Sequence, residues 1–174
     1  LYNAIEMSEL TFAQFLPTHC NRNPYIFEEA KVYGKNGFVD LTTGSYSSFP
    51  DDEIKPSEGI RKLLEGGVPL AHITMSSDGC GSLPQFDEEG KLLKLETASV
   101  SSLFEELKDT VEKENLGLER ALQTVTSNVA GILKLPSKGS IAKGKDADLV
   151  MIDSDFRIVH LCAKGSLMMR DGKL

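Results

Sequence analysis

Two short segments of the sequence concentrate side chains that can do chemistry. The first, 17–23, contains His19 and Arg22, and the second, 76–82, contains Asp78. An imidazole nitrogen is a common neutral ligand for zinc, and a carboxylate can hold a metal or carry a proton. A guanidinium can clamp a carboxylate through two parallel hydrogen bonds. Each residue taken singly also suits a structural role, such as a turn for Asp78 or a surface cation for Arg22.

Two cysteines in the same segments suggest an alternative, a zinc site made of His19, Cys20, Asp78 and Cys80. Adjacent side chains of a strand point to opposite faces, so His19 and Cys20 would not face one ion. The sequence also contains no Cys-x-x-Cys pair. The spacing therefore disfavours this alternative. A total of 3 cysteines, few and odd in number, argues against a disulfide framework and predicts a reducing, cytoplasmic compartment.

Short apolar runs alternate with amphipathic stretches over the first two-thirds of the chain, which predicts parallel β-α-β units. Both polar segments follow a predicted strand. Functional groups of α/β proteins collect where the carboxyl ends of parallel strands meet, so we expect the two segments to lie close together. The predicted strands are 12–16, 37–42 and 71–75, and the predicted helices begin at Asn23-Pro24 and Pro56-Ser57.

The remaining residues change character along the chain. A hairpin is predicted over 85–95, around the turn 87–90, and three helices are predicted over 100–111, 118–125 and 129–133. After a Gly- and Lys-rich break, apolar runs separated by turns predict antiparallel strands up to residue 170.

Three parallel units complete neither a closed barrel, which needs ~250 residues, nor an open sheet with covered edges. The chain opens at Leu1 without an initiator Met and ends just after Asp171-Gly172, a turn signal that lacks its second strand. Both ends look cut. We therefore expect the missing strands to come from chain outside this sequence.

The charge and hydropathy patterns exclude two classes of partner. The 19 Lys and Arg residues are scattered among 26 Asp and Glu residues, for a net charge of −7. A nucleic-acid partner needs a basic face, so none is expected. No apolar run approaches the ~18 residues that a membrane helix needs, so no membrane partner is expected either.

A conspicuous motif lies before the predicted antiparallel tail. Lys138 precedes the stretch 139–150, G-S-I-A-K-G-K-D-A-D-L-V, which resembles a segment near the end of many amidohydrolase-superfamily enzymes. The resemblance implies an α/β fold class in which the chain leaves a metal-dependent (β/α)8 TIM barrel and returns to a small β-sandwich. Residues 1–137 would then be the C-terminal portion of the barrel, and residues 138–174 strands of the incomplete sandwich.

The two polar segments resemble the metal and substrate loops of isoaspartyl (β-aspartyl) dipeptidases within that superfamily. The matching residues are L-P-T-H-x-N-R-N at 16–23 and S-S-D-G-x-G-S at 76–82. The resemblance implies that His19 is a zinc ligand and that Asp78 is both a zinc ligand and the catalytic proton shuttle. It further implies that Arg22 and Ser82 bind the β-aspartyl dipeptide substrate, without indicating which end each contacts.

Several functional groups of that family have no counterpart in this sequence. By resemblance, a His-x-His pair, a bridging carboxylated lysine and a further histidine belong to an upstream barrel half, and a complete site holds two zinc ions. A catalytic zinc takes three protein ligands plus water. With only His19 and Asp78, the chain alone is expected to bind few or no zinc ions and to be inactive.

Other interpretations remain open at this point. The expected partners are the dipeptide, the missing N-terminal barrel half and, in a homo-oligomer, further copies of the chain. Another amidohydrolase, such as a deacetylase or a cyclic amidase, would share the C-terminal motif without needing Arg22 and Ser82. A non-catalytic chain that self-associates through exposed strand edges is the alternative from a different class.

Overall fold

Two compact units make up the chain, Leu1–Val125 and Thr126–Leu174. The structure is a computed structural model, and it describes residues 5, 7–46, 48–49, 51 and 53–173. The predicted domain boundary, between residues 137 and 138, lies later in the chain than the division between the two compact units. Residues 127–132 belong to the second unit, whereas the prediction places them in the first part. The outer limits of the predicted domains, residues 1 and 174, lie outside the described residues. The assignment of the two parts to a barrel and a sandwich stays a prediction.

The first unit contains the parallel strands that the sequence predicts. Strands β1 (Val39–Thr42) and β2 (Ile73–Ser76) pair in parallel, with Asp40 opposite Thr74. Helix α1 (Pro24–Tyr33) precedes β1, and helix α2 (Pro56–Glu65) connects the two strands. The mixed α/β class and a β-α-β unit are therefore confirmed.

Local sequence explains where these two helices begin. The Asn23 side chain accepts a hydrogen bond from the Ile26 amide at 2.9 Å, and Pro24 follows it at the first helical position, where no amide donor is needed. Helix α2 likewise begins at a proline, and its Ser57 amide donates to the Glu106 carboxylate at 2.9 Å. Helix α1 therefore begins directly after the first polar segment, in a fixed position.

Helices α3 (Ser102–Glu112) and α4 (Leu118–Gln123) complete the first unit. Asp109 of α3 binds the ammonium groups of Lys55 and Lys113. Partial burial opposes ionisation of Asp109, but the hydrogen bonds from the two lysines outweigh it and lower the pKa of this carboxyl below its usual value. The α2–α3 contact is thus strengthened by ion pairs as well as by apolar packing.

The predicted hairpins are also present. Strands β3 (Ser82–Phe86) and β4 (Leu92–Thr97) form an antiparallel pair in the first unit. In the second unit, helix α5 (Ser127–Ile132) precedes an antiparallel sheet in the order β5 (Leu149–Ile152), β6 (Ile158–Ala163) and β7 (Ser166–Met169). Among the described residues, no helix has the length and apolar character to cross a membrane.

Three details differ from the sequence predictions. The prediction of a strand over 12–16 is wrong, because Phe12–Gln14 form a 3-10 turn and the chain becomes extended only after this turn. The third strand begins later than predicted, after a second 3-10 turn at Leu70–His72. Ser82 was predicted in a loop but is the first residue of β3. In each case a short run of four or five residues carried too little periodicity to fix its conformation.

Candidate functional site

The parallel strands have one apolar and one polar face, since side chains alternate along a strand. The apolar residues are in the core of the first unit, and they are Val39, Leu41, Ile73 and Met75. On the other face, the Asp40 carboxylate accepts hydrogen bonds from the Thr74 hydroxyl at 2.7 Å and the Ser76 hydroxyl at 2.5 Å. Burial raises the pKa of Asp40, and these hydroxyl donors oppose the rise. A buried polar network therefore links the two strands.

The first polar segment is held against β1 without forming a regular strand. The Asp40 amide donates to the Pro17 carbonyl at 3.0 Å, and the Cys20 amide donates to the Asp40 carbonyl at 3.1 Å. Between these bonds, His19 has a φ of 59°. The ring Nδ1 of His19 lies 2.8 Å from the Thr42 hydroxyl. Both the backbone and the ring of His19 are thus fixed by β1.

Asn21, which is completely buried, fastens the same segment to two other parts of the chain. Its Nδ2 donates to the carbonyls of Thr42 and Ile54 at 3.0 and 3.1 Å, and its Oδ1 accepts from the Thr42 amide at 2.7 Å. The Ile54 amide in turn donates to the Asn21 carbonyl at 2.8 Å. Asn21 therefore fixes the segment between His19 and Arg22.

The second polar segment is a tight turn in a strained conformation. Asp78 and Cys80 have φ values of 50° and 67°, and the Gly81 amide donates to the Asp78 carbonyl at 2.9 Å. A Cβ at Gly81 would lie 2.7 Å from that carbonyl oxygen, so only glycine fits. Residues in such conformations cost about 1–3 kcal/mol each and concentrate at functional sites. His19 and Asp78 both have a positive φ of this kind.

A third loop, after β1, also contacts the second segment. A Cβ at Gly44 would lie 2.2 Å from the Ser77 carbonyl oxygen and 2.8 Å from the Ala98 Cβ. In the same loop, Ser45 donates to the buried carboxylate of Glu53 at 2.9 Å. None of the site residues predicted from sequence lies in this loop, although the loop also follows a predicted strand and is polar and glycine-containing.

The structure brings Arg22 and Asp78 into direct contact. A guanidinium nitrogen of Arg22 lies 3.2 Å from Asp78 Oδ2, and both side chains are about two-fifths exposed, 39% and 40%. The Arg22 amide donates to the His19 carbonyl at 3.1 Å, so the backbone between these two residues forms a closed turn. Ser82 is exposed at the start of β3, and no hydrogen bond between described residues joins it to the other three. The predicted contact of the two polar segments is therefore present.

The donor types of His19 and Asp78 suit zinc, but their number does not complete a site. No group of three or more His, Cys, Asp or Glu side chains among the described residues could hold a metal ion. Cys20 does not add a ligand, because burial raises its thiol pKa to about 11 and its Sγ donates to the Pro17 carbonyl at 3.3 Å. Zinc binds the thiolate. The four-ligand alternative with both cysteines is thus not supported.

Two solved structures of β-aspartyl dipeptidases are similar to this chain. A β-aspartyl dipeptidase from Fervidobacterium islandicum AW-1, in complex with the β-Asp-Leu dipeptide, superposes with a TM-score of 0.86 at 37% identity. The match covers 99% of this chain and 44% of that enzyme. A second structure of a β-aspartyl dipeptidase from this organism gives a TM-score of 0.80 at 32% identity, over 99% and 42% of the two chains. The chain thus spans less than half the length of these relatives.

Deacetylases are also similar to this chain. An N-acetylgalactosamine-6-phosphate deacetylase from Shewanella sp. (strain ANA-3) is 33% identical over 82 residues, which is 47% of this chain and 20% of that protein. An N-acetylglucosamine-6-phosphate deacetylase structure from Thermotoga maritima, with a TM-score of 0.58 at 17% identity over 79% and 40% of the two chains, shares the fold. The amidohydrolase family model matches residues 28–171, which include Asp78 and Ser82 but begin after Arg22. The chain belongs to the amidohydrolase family.

Proposed function

We propose that this chain provides part of the active site of a metal-dependent hydrolase that cleaves the isopeptide bond of β-aspartyl dipeptides. The observation that carries the proposal is the 3.2 Å contact between Arg22 and Asp78, two residues 56 positions apart in sequence. The 37% identity to a β-aspartyl dipeptidase over 99% of the chain supports the substrate class. The chain acts together with an upstream barrel half and is inactive alone.

Asp78 is the proton-transferring residue in this proposal. Its carboxylate is exposed enough to meet a substrate and lies 3.2 Å from the Arg22 guanidinium. It takes a proton from the attacking water and delivers it to the leaving amine of the dipeptide. The strained turn around it fixes the carboxylate before substrate arrives.

Arg22 and Ser82 bind the substrate. One guanidinium nitrogen of Arg22 contacts Asp78, and the side chain is 39% exposed. The guanidinium therefore retains donors for a substrate carboxylate, which it can bind in the bidentate geometry that lysine lacks. The exposed hydroxyl of Ser82, four positions after Asp78, donates to a polar group of the dipeptide.

His19 and Asp78 would be the zinc ligands that this chain contributes, and the remaining ligands would come from the upstream half. A zinc pair, when bound, would lower the pKa of a bound water and polarise the scissile carbonyl. We propose a cytoplasmic location for the protein, since 3 cysteines are too few and odd in number for a disulfide framework. We also propose that copies of the protein assemble into a homo-oligomer.

A deacetylase is the second candidate function, favoured by the 33% identity to the Shewanella enzyme over 82 residues. A deacetylase substrate has a different polar group at the reacting end and gives no specific role to Arg22 and Ser82. A cyclic amidase would likewise not need them, and a non-catalytic chain would need none of the site residues. The candidates therefore differ in what Arg22 should do.

The test is a substrate comparison with the chain joined to its upstream half and loaded with zinc. We expect hydrolysis of β-Asp-Leu and none of N-acetylgalactosamine 6-phosphate. Arg22→Gln should reduce kcat/KM for β-Asp-Leu by about 100-fold, mainly through KM, because two charge-assisted hydrogen bonds are lost. Arg157→Gln, at an exposed arginine of the second unit, is the matched control. Cleavage of only the acetylated sugar, or an unchanged KM in Arg22→Gln, would contradict the proposal.

A further inference from the structure

The ring of His19 is held through one nitrogen by a threonine at the end of β1. Nδ1 of His19 lies 2.8 Å from the hydroxyl of Thr42, which is the last residue of β1. Thr42 is completely buried. The two residues are 23 positions apart, so only the fold brings them together.

Thr42 is itself rigidly placed. Its amide and its carbonyl both bond to the Asn21 side chain, at 2.7 and 3.0 Å, and it pairs with Ser76 across the parallel strands. A β-branched side chain in a strand has restricted rotation about χ1. The hydroxyl of Thr42 therefore has a fixed position relative to the His19 backbone, which lies in an uncommon conformation with a φ of 59°.

A neutral imidazole has one N–H donor and one acceptor nitrogen. A hydroxyl can partner either, so the distance alone allows both tautomers of His19. Only the tautomer with the proton on Nδ1 leaves a lone pair on Nε2, and ligand histidines are regularly held in this way by an acceptor at the other nitrogen. The direction of the hydrogen bond therefore decides whether His19 can act as a ligand through Nε2.

We propose that Thr42 is a positioning residue that accepts a hydrogen bond from Nδ1–H of His19 and so fixes the ring with Nε2 as its acceptor nitrogen. The choice of this tautomer rests on the proposed function, because the 2.8 Å distance by itself allows both. Thr42 touches neither substrate nor a reacting atom, and it acts only through His19.

The other two histidines provide internal references for both tautomers. Nδ1 of His72 lies 2.8 Å from the Gly34 carbonyl, which can only accept, so His72 carries its proton on Nδ1. The Asp171 amide donates to Nδ1 of His160 at 3.3 Å, so neutral His160 carries its proton on Nε2. A long-range 1H–15N correlation spectrum of the 15N-labelled chain, recorded well above the ordinary imidazole pKa of about 6.5, distinguishes the two patterns.

We expect the pattern of His19 to match that of His72. In Thr42→Val, which removes the hydroxyl at nearly constant shape, it should move toward that of His160, and Thr42→Ser should restore it. Thr110→Val is the matched control, since Thr110 is equally buried and its hydroxyl donates to the Glu106 carbonyl of its own helix. A wild-type pattern like that of His160, or an unchanged pattern in Thr42→Val, would overturn the proposal. If Thr42→Val does not fold, the wild-type and Thr42→Ser spectra decide.

The spectra need neither metal nor substrate, so they separate this inference from the proposed function. Failure of the complete protein to hydrolyse β-Asp-Leu would remove the proposed function, whereas the tautomer of His19 is decided by the spectra alone. In the complete protein, Thr42→Val should also weaken zinc affinity by about 10- to 100-fold, with rescue by Thr42→Ser. Unchanged zinc affinity in Thr42→Val would show that the hydroxyl does not support a ligand.

Discussion

Replacing Asn21 by alanine tests how the first polar segment is held. The substitution removes three hydrogen bonds and leaves the Thr42 amide, the Thr42 carbonyl and the Ile54 carbonyl without this partner. A buried group left unpaired costs about 1–3 kcal/mol, and since Ile54 is only partly buried, water offsets some of the total. We therefore expect Asn21→Ala to lower the free energy of unfolding of the first unit by about 3–5 kcal/mol.

Urea unfolding followed by tyrosine fluorescence measures this loss in the first unit alone. All 4 tyrosines precede Val125, and the chain has no tryptophan. With a slope of about 1.5 kcal/mol per molar urea, the expected loss lowers the midpoint by about 2–3 M. Asn36→Ala, at an exposed turn residue outside the core, should leave the midpoint unchanged. A loss below about 1 kcal/mol in Asn21→Ala at an unchanged slope would refute the idea that this side chain holds the segment.

Three further predictions concern packing, pH and thiol reactivity. Gly44→Ala should lower the free energy of unfolding by about 1–3 kcal/mol, because the added Cβ overpacks the loop that carries Asp78. Gly117→Ala should not, since a Cβ at that position would have nothing within 4 Å. Equal urea midpoints for the two variants would contradict this. Because the native pKa of Asp109 is lowered, its ionised form stabilises the fold above the ordinary carboxyl pKa of 3.8, and this stabilisation is lost as the pH falls from 3.8 through the native pKa. The stability difference between wild type and Asp109→Asn should therefore disappear at low pH. A constant difference would exclude the ion pairs as its cause. In brief iodoacetamide labelling read by peptide mass spectrometry, exposed Cys80 should react well before buried Cys20, whose pKa is about 11; the reverse order would contradict the described burial.

Helix starts and hairpins were predictable because their signals are local. Asn23-Pro24 combines a capping side chain with a residue that needs no amide partner, and the structure begins α1 there. The strand at 12–16 failed because a short apolar run is compatible with several conformations, and here Thr11 and Gln14 form a capping box that favours a 3-10 turn.

The candidate site was predictable in its residue types but not in its supports. His19, Arg22 and Asp78 stand out in sequence. The Arg22–Asp78 contact arises because the first segment is hydrogen-bonded along β1 and the second follows β2, its parallel neighbour. Thr42 and Asp40 did not stand out, because a threonine or aspartate inside a strand gives no local signal of its partner. Their role depends on register, since Asp40 faces Thr74 and Thr42 faces Ser76 across the parallel pair. Alternating polar residues in a strand that should be buried on both faces are the signal that could have identified them.

The most direct test of the central claim is the rate of β-Asp-Leu hydrolysis by the zinc-loaded complete protein with and without the Asp78 carboxylate. Asp78→Ala should reduce turnover by about 10³-fold or more, because it removes the group that transfers the proton. Asp155→Ala, at an exposed turn of the second unit, should retain the wild-type rate. Near-wild-type turnover in Asp78→Ala, with a folded protein and unchanged zinc content, would contradict the assignment of this site.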